Sequence, residues 1–191
     1  SLKNLDVSHF DTSQVKDMSY MFACCDSLKS LDVSHFFTSQ VKSMEYMFAS
    51  CSSLITLDLS SFDTSWVEDM GYMFAECESL KTLDLGHFDT SHVTNMDALF
   101  CNCKSLENLD LSSFDTRKTE IMGHMFSGCD SLKTLDISNF DVRQIKEDYF
   151  SFEEYTGLSK LPHVKVRQSV KLWSSTIREL AKLGESYYQL E

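Results

Sequence analysis

Apolar residues recur along the chain with a fixed period. Leucines open successive units that are 26 residues long: Leu2, Leu28, Leu54, Leu80, Leu106 and Leu132. In the second unit, LKSLDVSHFFTSQVKSMEYMFASCSS, Leu31 and Val33 alternate with polar residues. A period of two predicts a short strand that buries one face. A phenylalanine then follows in every unit, at Phe36 in the second.

The second half of each unit has a different spacing. Val41, Met44, Met47, Phe48 and Cys51 are three, three, one and three residues apart. This spacing predicts the buried face of a helix. A Thr-Ser pair precedes it, and such hydroxyls accept hydrogen bonds from the free N–H groups of a helix start. Each unit is therefore predicted to form a strand, a turn and a helix, and to bury its apolar face against its neighbours.

A period of 26 residues that begins L-x-x-L-x-L is typical of leucine-rich repeats. The sequence thus predicts an α/β fold, a right-handed leucine-rich-repeat solenoid with a parallel sheet. Residues 1–146 would form five full repeats and a partial sixth. In the sixth unit Asp148 falls where the other units have methionine, so we expect the repeats to end near Lys146.

Residues 147–191 are predicted to form a C-terminal cap. Val164 and its alternating neighbours predict a strand over about 163–173. Thr176 and Glu179 resemble a capping box, which predicts a helix over about 176–188. A linker leading to another domain is the alternative interpretation.

The first unit has no comparable cap. Leu2 and Leu5 would leave an apolar interior open to water, and an uncapped end of a repeat array is prone to aggregate. We therefore expect the chain to be a fragment with further repeats upstream.

The segments LDVSHFDTSQVKDMSYMFACCDSL, LDLSSFDTSWVEDMGYMFAECESL and LDISNFDV resemble the BspA-like leucine-rich-repeat surface proteins. The shared pattern, LxxLDLSxFDTSxVxxMxxMFxxCxSL, covers about residues 2–146. The resemblance implies a bacterial cell-surface or secreted protein that mediates adhesion or host contact, without defining catalytic residues. Phe37, Leu99 and Thr119 depart from the pattern, at positions where other units carry Asp, Met and Val.

The formal charge is −12, and the acidic excess lies in residues 1–145. This charge argues against nucleic acid as a partner, because the phosphate backbone attracts Lys and Arg. No apolar run reaches the roughly 18 residues that a membrane helix needs, so membrane insertion is not expected. The sequence has no G-x-S-x-G elbow and no glycine-rich phosphate loop, and it predicts no enzyme and no catalytic residue.

One acidic residue recurs between the two buried strand positions, and its side chain should point outward. We call this set the strand-side Asp row: Asp6, Asp32, Asp58, Asp84, Asp110 and Asp136. At a spacing of about 5 Å in water each neighbouring pair repels by roughly 0.8 kcal/mol, which is expected to raise some pKa values or attract cations. One interpretation is a ligand-binding strip for a basic ligand or for Ca²⁺. The other is structural, with Ser/Thr hydroxyls or lysine side chains of adjacent units holding each Asp. The lysines that could supply part of this charge are Lys3, Lys29, Lys81 and Lys133. No other metal or cofactor is predicted.

Two further rows are predicted to be structural. The turn-side Asp row precedes each predicted helix, where Asp caps N–H groups: Asp11, Asp63, Asp89, Asp115 and Asp141. The cysteine row lies on the buried face and is expected to hold reduced thiols, with disulfides between neighbouring units as the alternative: Cys25, Cys51, Cys77, Cys103 and Cys129.

Two aromatic rows remain. His9, His35 and His87 are expected to be solvated at the surface. Tyr20, Tyr46 and Tyr72 are expected to be partly buried between helices, and a sugar-stacking platform is the alternative.

The leading functional hypothesis is a non-enzymatic interaction or adhesion module of a bacterial cell-surface or secreted protein. Its repeat surface would bind a protein or glycan of a host or matrix. The alternative is an intracellular acidic scaffold or decoy that binds a basic protein, since a row of thiols suits a reducing compartment.

Overall fold

The computed structural model describes residues 2–141, 143–145, 163–166 and 188–190. Within them, four strands form one parallel sheet in the order β1-β2-β3-β4. Their bounds are Asn108–Asp110 for β1, Thr134–Asp136 for β2, His163–Val166 for β3 and Tyr188–Leu190 for β4. The helix predicted over about 176–188 lies outside the described residues except for Tyr188, which begins β4.

The strand segments of the units bury alternate residues. Leu31 and Val33 are buried while their neighbours Asp32 and Ser34 are exposed. In the fifth and sixth units the same positions form β1 and β2, and the register pairs Leu109 with Leu135, so residues 26 apart lie side by side. The alternation and the parallel pairing predicted from the sequence are confirmed for these two strands.

The helix predicted for the second half of each unit is wrong. No helix is found among the described residues, and residues 44–51 form successive tight turns. The N–H groups of Met47, Ala49 and Cys51 donate to carbonyls three residues back, at 3.1, 3.1 and 3.2 Å. The intervening N–H groups donate to the next unit, as from Phe48 to the carbonyl of Met73 at 3.0 Å. In a helix every interior N–H would bond within its own segment, four residues back.

Left-handed residues close these turns. Tyr46 is the third residue of the turn from Met44 to Met47 and has a φ of 56°, and Ser50 has the same place before Cys51 with a φ of 59°. A positive φ at this place is typical of a type II turn. The same two positions are left-handed in the other described units: Tyr20, Cys24, Tyr72, Glu76, Ala98, Asn102, His124 and Gly128. Each non-glycine residue there costs roughly 1–2 kcal/mol and interrupts a right-handed helix.

The interior consists of rows of identical side chains. Phe36, Met47 and Cys51, chosen from the sequence as core positions, are all buried. Neighbouring phenylalanine rings of one row lie with centroids 5.6–5.9 Å apart, in the order Phe22, Phe48, Phe74, Phe100 and Phe126. The units therefore share one apolar interior. The leucine-rich-repeat class and the right-handed coil remain predictions.

Buried threonine hydroxyls form hydrogen bonds between neighbouring units. Thr64 Oγ1 donates to the carbonyl of Asp89 at 3.0 Å and accepts from the N–H of Asp89 at 2.9 Å. Thr38, Thr90 and Thr116 make the same pair of bonds to the residue 25 positions later. A buried hydroxyl that both donates and accepts leaves no unsatisfied polar group, so this threonine row holds the turns of adjacent units in register.

Candidate interaction surface

The strand-side Asp row lies at the surface, with five members exposed and Asp136 half-buried. In each member Oδ1 accepts the backbone N–H of the residue two positions on. These bonds are 2.9–3.0 Å long and end on Ser8, Ser34, Ser60, Gly86, Ser112 and Ser138. Such local bonds form Asx turns, so every carboxylate of the row has a fixed direction.

Repulsion along this row was expected to raise some pKa values, but at three members the pKa is lowered. Hydrogen bonds from Ser8 and Ser34 lower the pKa of Asp6 and Asp32, and those from Ser60 lower that of Asp58. Repulsion from Asp32 acts on Asp58 in the opposite direction, but it is a smaller contribution. Two hydrogen bonds to the charged form outweigh a neighbouring charge across water.

Of the lysines expected to neutralise this row, the structure describes an ion pair for Lys133, and its partner lies outside the row. Lys133 Nζ lies 2.5 Å from Glu107 Oε2 of the preceding unit. Lys42 pairs with Glu68 at 2.8 Å and Lys104 with Glu78 at 2.7 Å, again between neighbouring units. These exposed pairs contribute little to stability, and they leave the acidic character of the Asp row in place.

A multidentate metal site is not formed in the described part of the chain. There, no three His, Cys, Asp or Glu side chains come together in a way that would hold a metal ion. The carboxylates of the strand-side row lie one in each unit along the array and do not converge on a common point. Among the same residues there is also no helix of the length and apolarity needed to span a membrane.

The turn-side Asp row caps turns, since the helices it was predicted to cap are not formed. Asp63 Oδ1 accepts from the N–H of Ser65 at 3.0 Å and from its hydroxyl at 2.6 Å. Asp11, Asp89, Asp115 and Asp141 likewise accept the N–H two residues on, at 2.9–3.1 Å. Hydrogen bonds from Ser13 and Ser91 lower the pKa of Asp11 and Asp89, and those from Arg117 and Arg143 lower that of Asp115 and Asp141.

Phe37 occupies this row in the second unit. Its N–H donates to Thr12 Oγ1 at 2.7 Å, as the equivalent Asp residues do to their threonines. Its side chain has no carboxylate with which to close the turn, and it is 66% exposed.

The tyrosine row is a stack of parallel rings. The rings of Tyr20 and Tyr46 lie 4.7 Å apart at 8°, and those of Tyr46 and Tyr72 lie 4.4 Å apart at 4°. The flanking helices expected from the sequence are absent, and the rings cover one another instead. Burial raises the pKa of Tyr46 and Tyr72, and a hydrogen bond with Asp97 adds to the effect at Tyr72.

The histidine row is more tightly held than the sequence suggested. Nε2 of His35 lies 2.8 Å from the carbonyl of Val7, and Nε2 of His87 lies 2.9 Å from that of Leu59. Each ring also meets the adjacent phenylalanine edge-on. These two histidines therefore bridge neighbouring units.

The cysteine row is buried except for Cys25, which is half-buried. Each buried thiol donates to the carbonyl of a phenylalanine in the preceding unit, as from Cys51 to Phe22 at 3.2 Å and from Cys129 to Phe100 at 3.1 Å. Burial raises the pKa of both thiols to about 12. A thiol kept protonated is a poor nucleophile, so the row has a structural role in this arrangement.

Sequence reasoning missed two features of the surface. The first is the threonine row. The sequence predicts helix starts there, whereas the hydroxyls hydrogen-bond to the backbone of the next unit. The second is a pair of exposed aromatic residues, Phe37 and Trp66, at positions that are polar in the other units. The departure of Phe37 was visible in the sequence, but its exposure was not.

Units of 26 residues that bond to one another through rows of like residues define a repeat protein. The chain belongs to the family described as "Mycoplasma protein of unknown function, DUF285", whose model matches residues 1–83 and residues 73–181. No curated protein and no solved structure matches the chain.

Proposed function

We propose that the chain is a non-enzymatic interaction or adhesion module of a bacterial cell-surface or secreted protein, of the BspA-like leucine-rich-repeat kind. It binds a protein or glycan of a host or matrix through its repeat surface. The quoted LxxLDLSxFDTS segments support the narrower family assignment, and the acidic surface supports binding of a ligand with basic groups.

The observation that carries this proposal is the rigidity of the strand-side Asp row. Each of its carboxylates is fixed by a bond of 2.9–3.0 Å to its own turn. A surface whose charged groups are already ordered loses less entropy when a ligand binds. The row repeats with the units and suits a ligand with regularly spaced basic or hydroxyl groups.

The test is an array of extracellular-matrix proteins and glycans probed with the folded chain. The triple variant Asp32→Asn/Asp58→Asn/Asp84→Asn removes three charges of the row and keeps the oxygen that each turn requires. The matched control, Asp11→Asn/Asp115→Asn/Asp141→Asn, removes as many charges from the turn-side row. We expect at least a tenfold loss of affinity in the first variant and less than a threefold loss in the control. Absence of any ligand, or equal losses in both variants, would contradict the proposal.

Calcium is tested in the same material by calorimetric titration of the native chain and of Asp58→Asn/Asp84→Asn. Heats that are negligible in both would remove Ca²⁺ from the proposal, and the ligand would then bind the carboxylates directly.

An intracellular acidic scaffold that binds a basic protein is the second candidate. The observation in its favour is the cysteine row, whose four buried thiols are free and would persist in a reducing compartment. Binding to basic intracellular proteins together with no binding to the matrix and glycan array would favour this candidate.

A further inference from the structure

Phe37 and Trp66 are exposed where the repeat is otherwise polar. Phe37 is 66% exposed and stands in the turn-side Asp row, and Trp66 is 60% exposed. The residues equivalent to Trp66 in the other units are Gln14, Gln40, His92, Lys118 and Gln144. Water is therefore the normal environment at both positions, and a large aromatic side chain there has no role in the shared interior.

The two residues lie on one row of turns, in consecutive units. Thr38, which follows Phe37, bonds to both backbone groups of Asp63 at 2.8 and 2.9 Å. Trp66 is only three residues beyond Asp63, a distance of at most about 11 Å along the chain. A single extended segment of a partner can therefore reach both aromatic residues.

The surroundings of Trp66 hold its ring in place. The ring stacks on His92 of the next unit, with centroids 5.7 Å apart at 22°. In the preceding unit the equivalent residue, Gln40, bonds away from Trp66, since its side chain donates to the carbonyl of Ser13 at 3.1 Å. One face of the indole is thus covered while the side chain as a whole remains largely exposed.

Charge indicates what the patch binds. The carboxylates of Asp63 and Asp89 belong to the same row of turns, and the chain as a whole carries −12. Indole is the aromatic ring that attracts cations most strongly, and arginine combines a planar cation with a stem that covers apolar surface.

We propose that Phe37 and Trp66 form a docking patch for an extended protein segment that carries arginine residues. A guanidinium stacks on the open part of the Trp66 ring while the stem of a neighbouring side chain covers Phe37. This inference rests on the proposed role as an interaction module and assigns a second contact surface, apart from the strand-side Asp row.

The probe is a nine-residue peptide in which arginine alternates with serine, compared with the same peptide carrying citrulline, which is neutral. Because Trp66 and Trp173 are the two tryptophans of the chain, fluorescence is recorded in a Trp173→Phe background. We expect saturable quenching or a spectral shift of Trp66 with the arginine peptide, and binding at least fivefold weaker with citrulline. No change in Trp66 fluorescence, or equal binding of both peptides, overturns the proposal.

Variants taken from the chain's own repeats supply the second test. Trp66→Gln and Phe37→Asp introduce residues that other units carry at the same positions, so folding is expected to persist. Ile55→Glu is the matched control, since it also exchanges an exposed apolar residue for an acid that another unit carries, Glu107. Phe37→Asp and Ile55→Glu add the same negative charge.

By calorimetric titration, since Trp66→Gln removes the fluorescent residue, we expect Trp66→Gln and Phe37→Asp to weaken binding of the arginine peptide at least fivefold, and Ile55→Glu to leave it within twofold or to strengthen it. If Phe37→Asp strengthens binding as Ile55→Glu does, attraction is a general charge effect and the proposal fails. If the array finds a ligand but the arginine peptide does not bind, the patch fails alone. If the peptide binds at Trp66 and the array finds no ligand, the patch stands and the adhesion proposal fails.

Discussion

The first unit and the inner units have the same sequence pattern but different burial. Phe10 is 50% exposed and Leu2 52% exposed, whereas the equivalent Phe62 and Leu54 of the third unit are 4% and 1% exposed. Met18 and Phe22 of the first unit are nevertheless buried. The difference lies in the neighbours, because the first unit has a following unit but no preceding one among the described residues.

This comparison separates two kinds of interaction. The opening leucine and the phenylalanine after the strand segment depend on the unit before them, whereas Val7 of the first strand segment is already buried. The turns bond to the unit after it, as from Phe22 N–H to the carbonyl of Met47 at 2.9 Å. Stability in such an array is a sum of terms within units and terms between adjacent units, and matched substitutions in the first and third units can measure them separately.

The largest expected effect comes from the phenylalanine after the strand. Phe62→Ala empties a buried site, and truncating such a residue costs about 3–5 kcal/mol. Phe10→Ala removes a half-exposed ring and should cost about 1 kcal/mol. Chemical unfolding followed by circular dichroism measures both. Equal losses would mean that Phe10 is covered in solution, and the difference between first and inner units would not hold.

The alternating burial in the first half of the unit could be predicted from sequence, because alternation has one structural meaning over a few residues. Within the described repeat units, the predicted strand itself forms only in the fifth and sixth, as β1 and β2. The apolar spacing at Val41, Met44, Met47, Phe48 and Cys51 is compatible with two structures, a helix and a series of tight turns. Tight turns that close every two or three residues return apolar side chains to one side much as a helix does. What distinguishes them is the left-handed backbone at Tyr46 and Ser50, and neither residue type indicates a positive φ by itself. Asn102 and Gly128 at the equivalent of Ser50 are the one sequence signal for it.

The candidate surface was predictable to a similar extent. Period-two alternation placed the strand-side Asp row outward, which its exposure matches. The alternation does not predict the bond from each carboxylate to the backbone of its own turn, because it places the residue two positions on within the strand. The expected rise of some pKa values is therefore not found at Asp6, Asp32 and Asp58, where the pKa is lowered.

A smaller loss is expected from the threonine row. Thr64→Val removes a buried hydroxyl that donates to and accepts from Asp89, and an unsatisfied buried N–H costs about 1–3 kcal/mol. Thr64→Ser keeps both bonds and should lose less than half as much. Thr12 is buried as well and accepts the N–H of Phe37, so Thr12→Val in the first unit should cost a similar amount to Thr64→Val in the third. If Thr12→Val leaves the free energy of unfolding unchanged in the same assay, the bond from the second unit to Thr12 does not stabilise the first unit.

The raised thiol pKa values of the cysteine row should make stability fall at alkaline pH. The pKa of Cys51 and Cys129 is raised to about 12 by burial, while an unfolded thiol titrates near about 8.5. The folded state therefore holds these protons longer, and stability that is complete below about pH 8.5 falls as the pH rises toward 12. In Cys51→Ala the unfolding midpoint should fall less between pH 8 and 10.5 than in the native chain. Cys25→Ala, at a half-buried site, should change this slope less. If the unfolding midpoint of Cys51→Ala falls with pH as steeply as that of the native chain, titration of this thiol does not cause the loss of stability at alkaline pH.

The smallest expected effect is on stability at acid pH, and it should be similar in the first and third units. Hydrogen bonds within the turn lower the pKa of Asp6 and Asp58 alike, and an unfolded Asp titrates near about 3.9. Their contribution is therefore present above about pH 4 and is lost as the pH falls through the lower folded pKa. Asp6→Asn and Asp58→Asn each keep the turn acceptor but no longer titrate, so each should slightly flatten the fall of the unfolding midpoint between pH 5 and 2.5. The change should be similar in the two variants, because the hydrogen bonds that lower both pKa values lie within one unit. A clearly smaller change for Asp58→Asn would show that repulsion from Asp32 of the preceding unit offsets much of the effect of these hydrogen bonds.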